Sequence, residues 1–107
     1  MTHSHNPAFH LASNLSHPIL DTLADLVRIN SVNPNYDGGV TEAAVADYVE
    51  HFFAERSVPT WRTAVLPGRP NVLARLPGRK PQRRIVVEAH MDTVSASGMT
   101  IEPWSPE

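Results

Sequence analysis

Residues 84–90 read Arg-Ile-Val-Val-Glu-Ala-His, and the three consecutive β-branched residues Ile85, Val86 and Val87 decide the fold class. A strand with one wet face alternates apolar and polar residues. A continuous apolar run is expected where a strand is covered on both faces, as in a sheet layered between helices. Two upstream segments can supply such cover. In residues 18–29, Ile19, Leu20, Leu23, Leu26 and Val27 recur at helical spacing behind Pro18, which suits a first turn. In residues 41–56, Val45, Tyr48, Val49, Phe52 and Phe53 form a second stripe, with Thr41 as N-cap. An aromatic stripe of this kind is core packing, and His51 lies beside it at the surface. The expected architecture is an α/β domain with helices packed on a mixed sheet.

The intervening segments are short. Ser57-Val58-Pro59 ends the second helix. Residues 60–66 and 71–76 read as strands around Pro67-Gly68-Arg69-Pro70, a hairpin-like pair. Arg79, Lys80, Arg83 and Arg84 form a small basic cluster, read as a solvated turn. Residues 31–39 (SVNPNYDGG) are turn chemistry. They serve as a plain connection or as a loop that touches ligand, and composition does not choose. Residues 1–17 hold His3, His5, His10 and His17 and read as a flexible His-rich leader, leaving residues 18–107 as the folded portion.

Composition narrows the function classes. The chain has 107 residues, enough for one small domain. Hydrophobic residues make up 41% and charged residues 19%, near globular usage, which argues against wholesale disorder. The net charge of −2 gives no basic footprint for nucleic acid. No apolar run approaches the roughly 18–20 residues of a membrane span. The absence of cysteine excludes disulfides, thiolate metal sites and a cysteine nucleophile. The N-terminus lacks the pattern of a secretory signal, so a cytoplasmic location is expected.

Chemistry concentrates where the apolar run ends, at Ala89-His90-Met91-Asp92-Thr93-Val94. Residues i and i+2 of a strand face the same way, so His90 and Asp92 project together if extended geometry persists. Ligands of open α/β sheets bind beyond the carboxyl ends of strands. A neutral imidazole is a common zinc ligand, and a nearby carboxylate orients it and raises its basicity. The pair alone is a weak signal: six His and five Asp in 107 residues give about 0.3 such pairs by chance.

Longer stretches add to it. The segment Ile85-Val86-Val87-Glu88-Ala89-His90-Met91-Asp92-Thr93-Val94 resembles the first metal-binding motif of the zinc-dependent acetylornithine deacetylase, succinyl-diaminopimelate desuccinylase and glutamate carboxypeptidase family. Residues 26–34 (LVRINSVNP) resemble that family's first helix and following loop. Residues 70–78 (PNVLARLPG) resemble the strand and turn before the motif, and residues 102–107 (EPWSPE) the segment after it. The resemblance spans residues 18–107 in order.

The resemblance implies the N-terminal portion of an incomplete zinc-peptidase-like catalytic domain. It implies His90 as ligand to one of two Zn2+ ions, with Co2+ or Mn2+ as possible substitutes. Asp92 becomes the catalytic-site acid that contacts and tunes that histidine. The implied reaction is cleavage of the amide bond of an N-acyl amino acid or short peptide by zinc-activated water. The implied full-length protein is a homodimer that binds neither nucleic acid nor membrane. The family's bridging aspartate, its Glu-Glu pair and its remaining ligands belong to positions beyond residue 107. Residues 1–107 alone are therefore expected to be inactive. Two other readings stay open: a non-catalytic α/β binding or assembly module on the same scaffold, and, within the family, a di- or tripeptide aminopeptidase.

Overall fold

Proline and glycine fix the best-defined element, a β-hairpin. Strand β1 (Thr60–Leu66) pairs antiparallel with β2 (Arg69–Ala74), from Thr60 opposite Ala74 to Leu66 opposite Arg69. The connection is Pro67-Gly68, with Gly68 at φ +73°. Proline first and a left-handed glycine second is the pattern of a type II turn. The register shifts between Ala64 and Leu66, so one residue bulges. A computed structural model describes residues 7–106, with side chains from residue 17 onward.

Two helices precede the hairpin: α1 (Pro7–Val27) and α2 (Ala43–Ala54). Helix α2 follows its stripe. Val45 and Ala46 are buried, and Tyr48, Val49, Phe52 and Phe53 are half-buried. Thr41 Oγ1 accepts from the Ala43 N–H at 3.2 Å, although the N-cap residue is Glu42. His51 is exposed and pairs with Glu55 at 2.9 Å. The helix ends where Ser57 takes φ 56°. The Ser57 N–H donates to Ala54 O and the Val58 N–H to Phe53 O, both at 3.0 Å. This is a Schellman closure with serine where glycine is usual. The hairpin is held to α2 by Arg62, whose guanidinium donates to Asp47 and Glu50.

Helix α1 begins at Pro7 rather than Pro18. Proline suits a first turn, and Pro18 inside the helix removes one backbone donor without ending it. Thr22 Oγ1 donates to Pro18 O at 2.8 Å. Residues 1–6 of the expected leader lie outside the described residues, as do the side chains of His3, His5 and His10. The apolar stripe of α1 is only partly used. Leu26 and Val27 are half-buried, while Ile19, Leu20 and Leu23 stand exposed. Tyr48 Oη donates to Asp25 Oδ2 at 3.0 Å, tying α2 to α1.

Among the described residues the architecture is thus α/β in the plain sense of two helices and a two-stranded antiparallel sheet. The expected mixed sheet does not form, and residues 84–90 are not a strand. Ile85, Val86 and Val87 are 92%, 88% and 90% exposed. A strand exists only through its neighbours, and no other described segment comes alongside this one. One isolated parallel bridge, Val32 with Thr93, joins the segment after α1 to the chain beyond residue 90.

Among the described residues the buried core is correspondingly small: Val32, Val45 and Ala46, with Ser31 and Glu42 buried beside them. Beside the bridge, Leu26, Val27, Ile29, Val32, Val94 and Trp104 line an apolar depression of about 240 Å³. No described helix is long and apolar enough to cross a membrane.

Candidate functional site

The site begins with a loop closed by asparagine side chains. Asn30 Oδ1 accepts from the Val32 N–H at 3.0 Å. Asn33 Oδ1 accepts from the Asn35 N–H at 2.8 Å, an Asx turn that the following Pro34 favours. Backbone bonds then stitch the loop on both sides. The Thr93 N–H donates to Ser31 O and the Asn33 N–H to Thr93 O, both at 3.0 Å, while the Val40 N–H donates to Val32 O at 2.9 Å. Gly39 is required by space. A Cβ there would stand 2.2 Å from Asn33 O and 2.8 Å from Pro34 Cα, both backbone atoms that cannot rotate away.

This loop fixes Asp92. Asn33 Nδ2 donates to Asp92 Oδ2 at 2.8 Å, across 59 positions of sequence. That bond is the main reason the Asp92 carboxyl is held below its ordinary pKa; partial loss of hydration opposes it, and the neighbouring His90 adds to it. Residues 31–39 therefore do more than connect: they position an acid of the expected site.

His90 and Asp92 do come together. His90 Nδ1 lies 2.8 Å from the Asp92 backbone oxygen and 3.2 Å from Asp92 Oδ1. Both neighbours are acceptors, so Nδ1 carries a proton, and in the neutral ring Nε2 holds the lone pair. The imidazole side chain is 85% exposed, and Nε2 has no hydrogen-bond partner among the described residues. The pair is set by residues 90–93 folding back on the 31–33 segment, not by the tip of a buried strand.

Two further residues join them that the sequence did not single out. Glu42 is buried, and Arg69 Nε donates to both its carboxylate oxygens, at 2.9 and 3.0 Å. Glu42, Arg69, His90 and Asp92 line a common depression of about 210 Å³. Arg69 reads locally as a turn residue and Glu42 as part of a helix start. Nothing in the sequence announces that they meet across 27 positions.

The donor set is short for a catalytic zinc, which takes about three protein ligands. Among the described residues no group of three or more His, Asp or Glu side chains converges. Both Asp92 oxygens are engaged, one by Asn33 and one by His90. The described residues offer one ready donor, His90 Nε2, and do not complete a metal site by themselves. Comparison with protein families, with curated proteins and with solved structures returns no match for the chain.

Proposed function

We propose that residues 18–107 are the N-terminal portion of a metal-dependent hydrolase that cleaves amide bonds of N-acyl amino acids or short peptides. One observation carries most of the weight. The imidazole of His90 turns its Nδ1 toward Asp92 and leaves Nε2 free. That is the arrangement in which a carboxylate fixes the tautomer of a metal-binding histidine. The motif resemblance over residues 85–94 supports the same assignment.

In this reading His90 is one ligand, and the other ligands and the general base lie outside the described residues. Asp92 acts through His90 and is a positioning residue, itself positioned by Asn33. The ion proposed is Zn2+, two per active unit, with Co2+ or Mn2+ as substitutes. The complete enzyme is proposed to be a cytoplasmic homodimer with the fold of a zinc peptidase.

The test uses the whole reading frame that contains these residues. Zinc content and hydrolysis of an N-acetyl amino acid are measured for the wild type, His90→Ala and Asp92→Asn. Removal of His90 is expected to cost about one zinc equivalent, and Asp92→Asn about 10–100-fold in metal affinity. Unchanged zinc content in His90→Ala, or no hydrolysis by the zinc-loaded wild type, overturns the reading.

A further inference from the structure

The charged groups that line the depression beside His90 are held in place by one another and by Asn33. Asp92 is engaged by Asn33 and His90, and Glu42 by Arg69. The second pairing has a particular geometry. Both oxygens of Glu42 accept from the single N–H of Arg69 Nε, at 2.9 and 3.0 Å. Glu42, buried at the start of α2, thereby fixes the guanidinium without spending its fork of terminal N–H donors. Arg69 opens β2, and Asn71, two residues on, shares its face of the strand. Both line the depression, and Arg69 is the only lysine or arginine among the described residues that do.

We propose that Arg69 recognises the free carboxylate of the substrate, with Glu42 as its positioning residue. The inference rests on the hydrolase reading and adds which end of the substrate this chain holds. An N-acyl amino acid carries its carboxylate one carbon from the scissile amide nitrogen. Cleavage beside His90 therefore sets that carboxylate close to the same depression. Glu42 and Asp92 are already occupied by protein donors, so Arg69 is the lining group left to receive an anion. The planar guanidinium fork matches a carboxylate with two parallel N–H···O bonds. Glu42 does for Arg69 what Asp92 does for His90: an acid grips one edge of the side chain and orients the other toward ligand. The substrate class that follows is an acyl amino acid with a free α-carboxylate. A tripeptide cleaved at its N-terminal bond carries its carboxylate a residue further away and loses this contact.

The test uses the whole reading frame that contains these residues, as purified. An N-acetyl amino acid and its uncharged carboxamide are compared by kcat/KM and, separately, by calorimetric binding. The wild type is expected to prefer the carboxylate by about 30-fold or more in both, the scale of a charge-assisted contact. Arg69→Lys keeps a cation against Glu42 but loses the fork, and is expected to cut the preference about fivefold. Glu42→Gln combined with Arg69→Gln removes both charges together, so neither is left buried alone, and the preference is expected to vanish. The readout is a ratio between two ligands. Damage to the fold lowers both alike and leaves the ratio standing, whereas loss of the carboxylate contact lowers one. A wild type without the preference, or a preference that survives within twofold in both variants, overturns the inference. If the wild type binds the carboxylate selectively through Arg69 but hydrolyses neither compound, the hydrolase reading falls and the anion site stands. If it hydrolyses both compounds equally, the reading stands and the anion site falls.

Discussion

Residues 31–40 and residues 84–90 lie against the same site and are built in opposite ways. The first stretch is rich in residues that break regular structure, yet its backbone is bonded to Thr93 on one side and to its own return at Val40 on the other. The second has the strongest strand composition in the chain, yet its backbone bonds nothing among the described residues. Local preference and observed order are inverted. The difference lies in neighbours: asparagine side chains carry their own hydrogen-bond partners into a loop, whereas a β-branched run depends on another chain segment to supply them.

The sharpest way to break that contrast is at Gly39. Gly39→Val places side-chain atoms against the Asn33 and Pro34 backbone, and the loop must open. Hydrogen-exchange protection of the Asn33 and Thr93 amides is expected to fall by roughly 100-fold, about 3 kcal/mol. Protection that survives would mean the loop closes without this close approach.

A smaller effect is expected at Asn33. Asn33→Ala removes both the Asx turn and the donor to Asp92. Protection of the Asn35 amide should drop about tenfold. The Asp92 carboxyl, now held low, should titrate closer to its ordinary value of 3.8 in an NMR pH series. The sign follows from linkage. A carboxyl with a depressed folded pKa contributes stability that is complete above 3.8 and is lost as pH falls through the lower folded value. The wild-type loop should therefore loosen in acid at a lower pH than the carboxyl would titrate in the unfolded chain. An Asp92 titration unmoved by Asn33→Ala would detach the loop from the acid.

The smallest effect expected is at the end of α2, a third region, where order comes from the helix itself. Ser57 sits in the left-handed region without being glycine, which costs about 1 kcal/mol. Ser57→Gly should raise the stability of α2 by about that amount in urea unfolding followed by circular dichroism. No gain would show that serine's own hydrogen bonding already offsets the strain.

These contrasts also explain what could be read in advance. The hairpin was legible because its signals are local: β1 occupies residues 60–66 as read, and Pro67-Gly68 turns the chain; the second strand, read at 71–76, runs instead over Arg69–Ala74, because the two-residue turn leaves Arg69 and Pro70 paired with β1. The α2 stripe and its stop at Ser57 were legible for the same reason. Helix α1 was read at its C-terminal part only, since Pro18 looks like a start when taken alone. His90 and Asp92 meet, but not through the strand alternation their spacing suggested: the segment is not a strand, and the contact comes from residues 90–93 folding back on the 31–33 segment. Asp92 is positioned by Asn33, 59 residues away, and the walls of the depression depend on Glu42 meeting Arg69. The strand expected at residues 84–90 fails on a long-range question: composition states what the segment prefers, not whether a neighbour arrives.

The bond between Tyr48 and Asp25 gives the helix pair an alkaline limit. Desolvation, and then the adjacent carboxylate, push the phenol above its ordinary 10.0, so the link is complete below that value and fails as the pH rises through the higher one. Past that point two anions confront each other where one proton had been shared, and the latch between the helices becomes a wedge.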